Sequence, residues 1–140
     1  MSDPFDLQRF VDAQDAGGTH RQALAELRAG AKRSHWMWFV FPQVAGLGRS
    51  ATAQHYAISG AAEARAYLDH PVLGPRLRES AAALTGLGTT DPVVVFGSID
   101  AQKLRSSMTL FAAVSAEPVF AQVLDQYFHG ARDDATTSRL

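Results

Sequence analysis

Residues that start and stop helices cut this chain into pieces of helical length, and that punctuation constrains the fold more than any other feature. Asp3-Pro4, Gly17-Gly18, Gly30, Pro42, Gly46, Gly48, His70-Pro71, Gly86, Gly88, Asp91-Pro92, Pro118 and Gly130 are spread along 140 residues. Proline fits the first turn of a helix but breaks its interior, and glycine suits the left-handed cap at a helix end. Between these marks the apolar residues recur at helical spacing. Phe5, Leu7, Phe10 and Val11 share one face, and Leu24, Leu27 and Ala31 a second. Leu73, Leu77, Ala81 and Leu84 form a third, and Leu104, Met108 and Phe111 a fourth. Phe120, Val123, Leu124, Tyr127 and Phe128 form the last.

The starts carry capping chemistry. Asp3 and Asp91 precede prolines, Ser59 and Asp100 precede periodic segments, and Thr19 with Gln22 reads as a capping box. Two apolar runs, His35–Phe41 and Val93–Phe96, fit a buried strand as well as a buried helix. The expected fold is all-α: a compact, bundle-like single domain of about six or more helices over residues 3–130. Residues 131–140 are polar and without period, and are expected to form a flexible tail.

Composition narrows the function classes. Hydrophobic residues make up 46% and charged residues 19%, which is globular rather than disordered. Thirteen Lys and Arg against 14 Asp and Glu give a net charge of -1, so no global field favours nucleic acid or an anionic membrane. No cysteine is present, which excludes disulfide scaffolds, thiolate metal sites and cysteine nucleophiles. Met1–Phe10 lacks the basic start and apolar centre of a signal peptide, and no apolar run approaches the roughly 20 residues of a membrane span. A cytoplasmic protein is expected.

Chemistry concentrates in two segments. Lys32, Arg33 and His35 offer charge and a group that titrates near neutrality, and Trp36 offers a flat ring face. Gln43 adds an amide able to read a polar edge, and Gly46, Gly48, Arg49 and Ser50 form a loop that can approach an anion. The bland alternative makes the aromatic rings core and the cations a solvated helix end. The second segment runs from Asp100 to Thr109. Lys103 and Ser107 share a helical face, with Asp100 one turn earlier and Arg105 on a neighbouring face. Lys103 with Ser107 is a weak Ser-Lys nucleophile signal; holding an anion beside Lys32 and Arg33 suits the pair better. His20, His35, His55, His70 and His129 match no metal-binding spacing, and there is no dinucleotide fingerprint or phosphate loop. No metal or cofactor is expected.

The run Lys32-Arg33-Ser34-His35-Trp36-Met37-Trp38-Phe39-Val40-Phe41-Pro42-Gln43, followed by Gly46-Leu47-Gly48-Arg49-Ser50, resembles the signature of a bacterial family. That family is the domain of unknown function 1810. The resemblance continues through His70-Pro71-Val72-Leu73-Gly74 and Phe96-Gly97 to Lys103-Leu104-Arg105-Ser106-Ser107-Met108-Thr109, nearly the whole chain apart from its tail. It implies a small all-helical fold, which would turn both ambiguous runs into helices. It implies no established activity. The label "calpastatin" carried by some members conflicts with this composition, because such an inhibitor is a disordered repeat protein.

Two functions are open at this point. One is a domain that binds a small anionic, nucleotide-like or ADP-ribose-like ligand, with enzymatic hydrolysis or group transfer left open. In that case His35, Asp100 and Lys103 are the catalytic candidates, and Lys32, Arg33, Trp36, Gln43, Arg49, Ser50, Arg105 and Ser107 the ligand-binding ones. The other is a non-catalytic interaction or structural module. Convergence of Lys32, His35, Asp100 and Lys103 on one concavity separates them. The sequence leaves the oligomeric state open.

Overall fold

The computed structural model describes residues 3–140, and among them the regular secondary structure is entirely helical. The helices are α1 (Gln8–Asp15), α2 (Thr19–Ala29), α3 (Met37–Val40), α4 (Ala51–His55), α5 (Ala61–Asp69), α6 (Leu73–Thr85), α7 (Pro92–Val114), α8 (Pro118–Phe128) and α9 (Asp134–Thr137). A single 3-10 turn at Ala16–Gly18 joins the first two. Val93–Phe96 lies in α7 and Met37–Val40, the middle of the other ambiguous run, forms α3, so neither run is a strand.

Most of the punctuation works as the sequence indicates. Asp91 Oδ1 accepts the Val93 amide at 2.9 Å, with Pro92 opening α7. Gly30 closes α2 at φ 74°. Asp3 is not the N-cap beside a first-turn Pro4: α1 starts at Gln8, Pro4 lies in a preceding turn, and the two Asp3 oxygens reach forward to the amides of Leu7 and Gln8 at 2.8 and 3.0 Å. His70 ends α5 and turns its Nδ1 onto the amides of Val72 and Leu73 at the start of α6. The Thr19 capping box does not form. Thr19 Oγ1 donates to the Ala16 carbonyl, and Gln22 reaches forward to Glu26 instead.

The core joins the apolar faces of α1, α2 and α5–α8. Phe10, Leu27, Leu73, Leu77, Leu84, Leu104, Phe111 and Phe120 are sealed from solvent. Deep burial of one such side chain favours folding by roughly 1.5–3 kcal/mol. α7 is central, packing against α5, α8 and α9. It is also broken. Gly97 has φ 79° and ψ 166°, so residues 92–96 and 98–114 are separate helical segments meeting at a bend.

The tail expectation is corrected. Residues 131–140 fold back along α7 and form α9. Arg105 donates to the carbonyls of Ala131 and Arg132 at 2.9 and 2.8 Å. The buried Asp133 accepts from Ser106 Oγ and caps α9 through Thr136. Its side-chain partners supply the anchoring that the missing apolar period could not. No helix among the described residues is long and apolar enough to cross a membrane.

Candidate functional site

The loop after α2 is built around Glu26. This carboxylate is buried on α2, yet five donors surround it: the amides of Arg33 and Ser34, Ser34 Oγ, Trp36 Nε1 and Gln22 Nε2. Burial opposes its ionisation, but the hydrogen bonds from Ser34, Arg33, Gln22 and Trp36 overcome it and pull its pKa down to about 2. The Lys32 amide donates to the Val95 carbonyl at 2.8 Å, tying this loop to the first half of α7. Trp36 then drops into the core against Phe41 and Phe96, with ring centroids 6.4 and 6.5 Å away.

These anchors set the polar cluster above them. Lys32 Nζ lies 2.9 Å from Asp100 Oδ2, and Lys103 Nζ lies 3.4 Å from Asp100 Oδ1. Asp100 stands in the first turn after the Gly97 bend, where the helix dipole favours a carboxylate. Two ammonium groups against one carboxylate leave one positive charge. Lys103 Nζ also sits 4.9 Å above the Trp38 ring, and Lys32 Nζ 5.1 Å from the Trp36 ring, both within cation–π range.

Lys32, His35, Trp38, Asp100 and Lys103 line one hollow of about 380 Å³, with Met37 and Phe96 among its apolar walls. Two further hollows adjoin it through shared walls. One of about 440 Å³ shares Ile99 and Lys103 with the first and is bordered by Gln43, Leu47 and Asp133. A tighter one of about 110 Å³ lies between Trp38, Gln43 and Tyr56. Through the shared Trp38, Gln43, Gly48, Ile99 and Lys103 they make one groove, of which the second hollow lies between the loop of residues 43–50 and α7. That loop is held by a parallel bridge between Val44 and Ile58. Gly48 is required where the loop touches α4, because a Cβ there would stand 2.4 Å from the Ala53 Cβ.

The structure therefore gathers Lys32, His35, Asp100, Lys103 and Gln43 on one groove and leaves the other candidates outside it. Trp36 is fully buried with its indole N–H taken by Glu26, so it has no face to offer; Trp38 is the partly exposed ring. Arg33 is exposed and contributes its backbone amide to Glu26. Arg105 is spent on the docked tail. Ser107 is buried in the core, on the helix that packs against α5 and α8. Ser50 caps α4 by accepting the Ala53 amide, and Arg49, also exposed, gives its carbonyl to Gln54. Trp38, Ile99 and Asp133 were missed in the sequence. Asp133 carried a usable signal, an Asp three residues before Thr136 at a helix start. No three His, Cys, Asp or Glu side chains among the described residues gather as metal ligands would.

A sequence model of the family described as "Protein of unknown function (DUF1810)" matches residues 4–140. The chain belongs to this family. Membership extends through the docked tail, beyond the segment in which the resemblance was first read. The conserved hypothetical protein Rv1873 from Mycobacterium tuberculosis, whose crystal structure is known, is 48% identical and superimposes with a TM-score of 0.95. The match covers 99% of this chain and 98% of that one, so the DUF1810 chain and its solved relative share the whole fold. No curated protein matches.

Proposed function

We propose that the groove binds a small anionic ligand of nucleotide-like or ADP-ribose-like chemistry. The observation that carries this reading is the meeting of Lys32, His35, Asp100 and Lys103 beside the Trp38 ring in one hollow. The two ammonium groups supply a net positive charge for a phosphate, and Trp38 supplies an aromatic surface for a planar group. If the ligand is turned over, hydrolysis or group transfer fits this set. His35 or Asp100 would then move the proton, and Lys103 and Lys32 would stabilise developing negative charge.

The test is a thermal-shift screen with nucleotides, NAD-like compounds and phosphosugars. A compound present at 100 times its Kd should add about 2.7 kcal/mol of stability, a midpoint rise of roughly 8 °C for a chain of this size. Lys103→Ala should remove the rise while keeping a cooperative transition of its own. If no compound moves the midpoint, the reading fails.

One observation favours the second reading, an interaction module. Val93, Val94 and Ile99 expose 50, 66 and 74% of their surface around the Gly97 bend, where a partner could cover them.

A further inference from the structure

The second hollow is chemically unlike the first. Its volume is about 440 Å³, and its polar walls are Gln43, Gln102, Lys103, Ser106 and Asp133. Asp133 is only 8% exposed, and its two oxygens are unequally occupied. Oδ2 accepts from Ser106 Oγ, the Thr136 amide and Thr136 Oγ1. Oδ1 accepts only from Gln102 Nε2, at 3.2 Å. A carboxylate offers about four lone-pair positions, two on each oxygen, so Oδ1 keeps acceptor capacity. Capping of α9 uses Oδ2 alone and does not account for Oδ1.

We propose that this hollow is a hydroxyl-binding subsite for the vicinal-diol, ribose-like part of the ligand, with Asp133 Oδ1 as the acceptor. The proposal rests on the anionic-ligand reading of the adjoining hollow. A neutral donor suits the remaining position on Oδ1, because the Lys103 ammonium lines the same hollow and disfavours a second cation there. A hydroxyl fits, since it can donate to Oδ1 while a neighbouring hydroxyl accepts from an amide of Gln43 or Gln102. Leu47 and the exposed Ile99 give apolar walls for the C–H face of a sugar ring. Lys103 then lies between the sugar and a phosphate attached to it, which sets the order of groups along the groove: diol at Asp133, phosphate at Lys103 and Lys32.

Titration calorimetry with ribose 5-phosphate, 2-deoxyribose 5-phosphate and inorganic phosphate tests this. The native protein should bind ribose 5-phosphate about tenfold more tightly than the deoxy sugar, because the deoxy sugar lacks the 2-hydroxyl that fills the remaining acceptor position of Oδ1. Asp133→Asn should reduce that ratio to below about threefold without weakening the deoxy sugar. Lys103→Ala should weaken both sugar phosphates alike. A native ratio near one, with Lys103→Ala still weakening binding, overturns the diol subsite and leaves the anion site standing. Absence of binding by all three probes overturns both. The native ratio needs no variant, so it decides the matter even if Asp133→Asn fails to fold.

Discussion

Glu26 and Asp100 are both carboxylates that gather cations or donors from distant parts of the chain, yet they do opposite work. Glu26 is 5% exposed, and all its partners are neutral N–H and O–H groups. Asp100 keeps 19% of its side chain exposed, and its partners are two ammonium groups at the edge of a groove. A buried charge saturated by neutral donors is a device for fixing a loop. A partly open charge shared between two cations leaves a residual field that a ligand can use.

The comparison is sharpest where Glu26 is removed. Glu26→Ala leaves the buried Trp36 indole N–H and the partly buried donors of Arg33 and Ser34 without an acceptor, and should lower unfolding free energy by about 3–4 kcal/mol in urea titrations. A loss below about 1 kcal/mol would mean that the loop holds itself. Acid gives the next effect. The folded pKa of about 2 lies below the ordinary 4.5, so ionised Glu26 stabilises the fold above pH 4.5, and this stabilisation is lost as pH falls through 2. The loss should approach about 3 kcal/mol and be absent from Glu26→Gln, measured as midpoints against pH. Asp100→Asn should move stability least, by about 1 kcal/mol, because its pairs remain partly solvated. It should tighten phosphate binding by removing the only negative charge between Lys32 and Lys103. Weaker phosphate binding in that variant would show that Asp100 serves chiefly to position the lysines.

The helices were legible because glycine, proline and apolar spacing act within a turn or two. Leu73, Leu77, Ala81 and Leu84 are all sealed inside, as their spacing indicates. The tryptophans were not separable. Residues two apart share a face in a strand and oppose each other in a helix, so the choice between Trp36 and Trp38 depended on the backbone type that the apolar run left open. Glu26 decides it by taking the Trp36 indole, from ten residues away and with no local pattern to announce it. Arg105 and Ser107 were assigned to the site because helical spacing gives a face but not what covers it. The docked tail claims the first, and the packing of α5 and α8 buries the region of the second. The tail itself was missed because polar anchors leave no hydrophobic period.

The bend at Gly97 separates two measures of mutational tolerance that usually agree. A Cβ added there would meet nothing within 4 Å beyond its chain neighbours and its own helix backbone, so by available room a small side chain would be accepted. By torsion almost none would, since φ 79° with ψ 166° is essentially glycine territory. A substitution scan across the groove should therefore show an intolerant position in open space, flanked by the solvent-facing Ser98 and Ile99, which carry no such restriction.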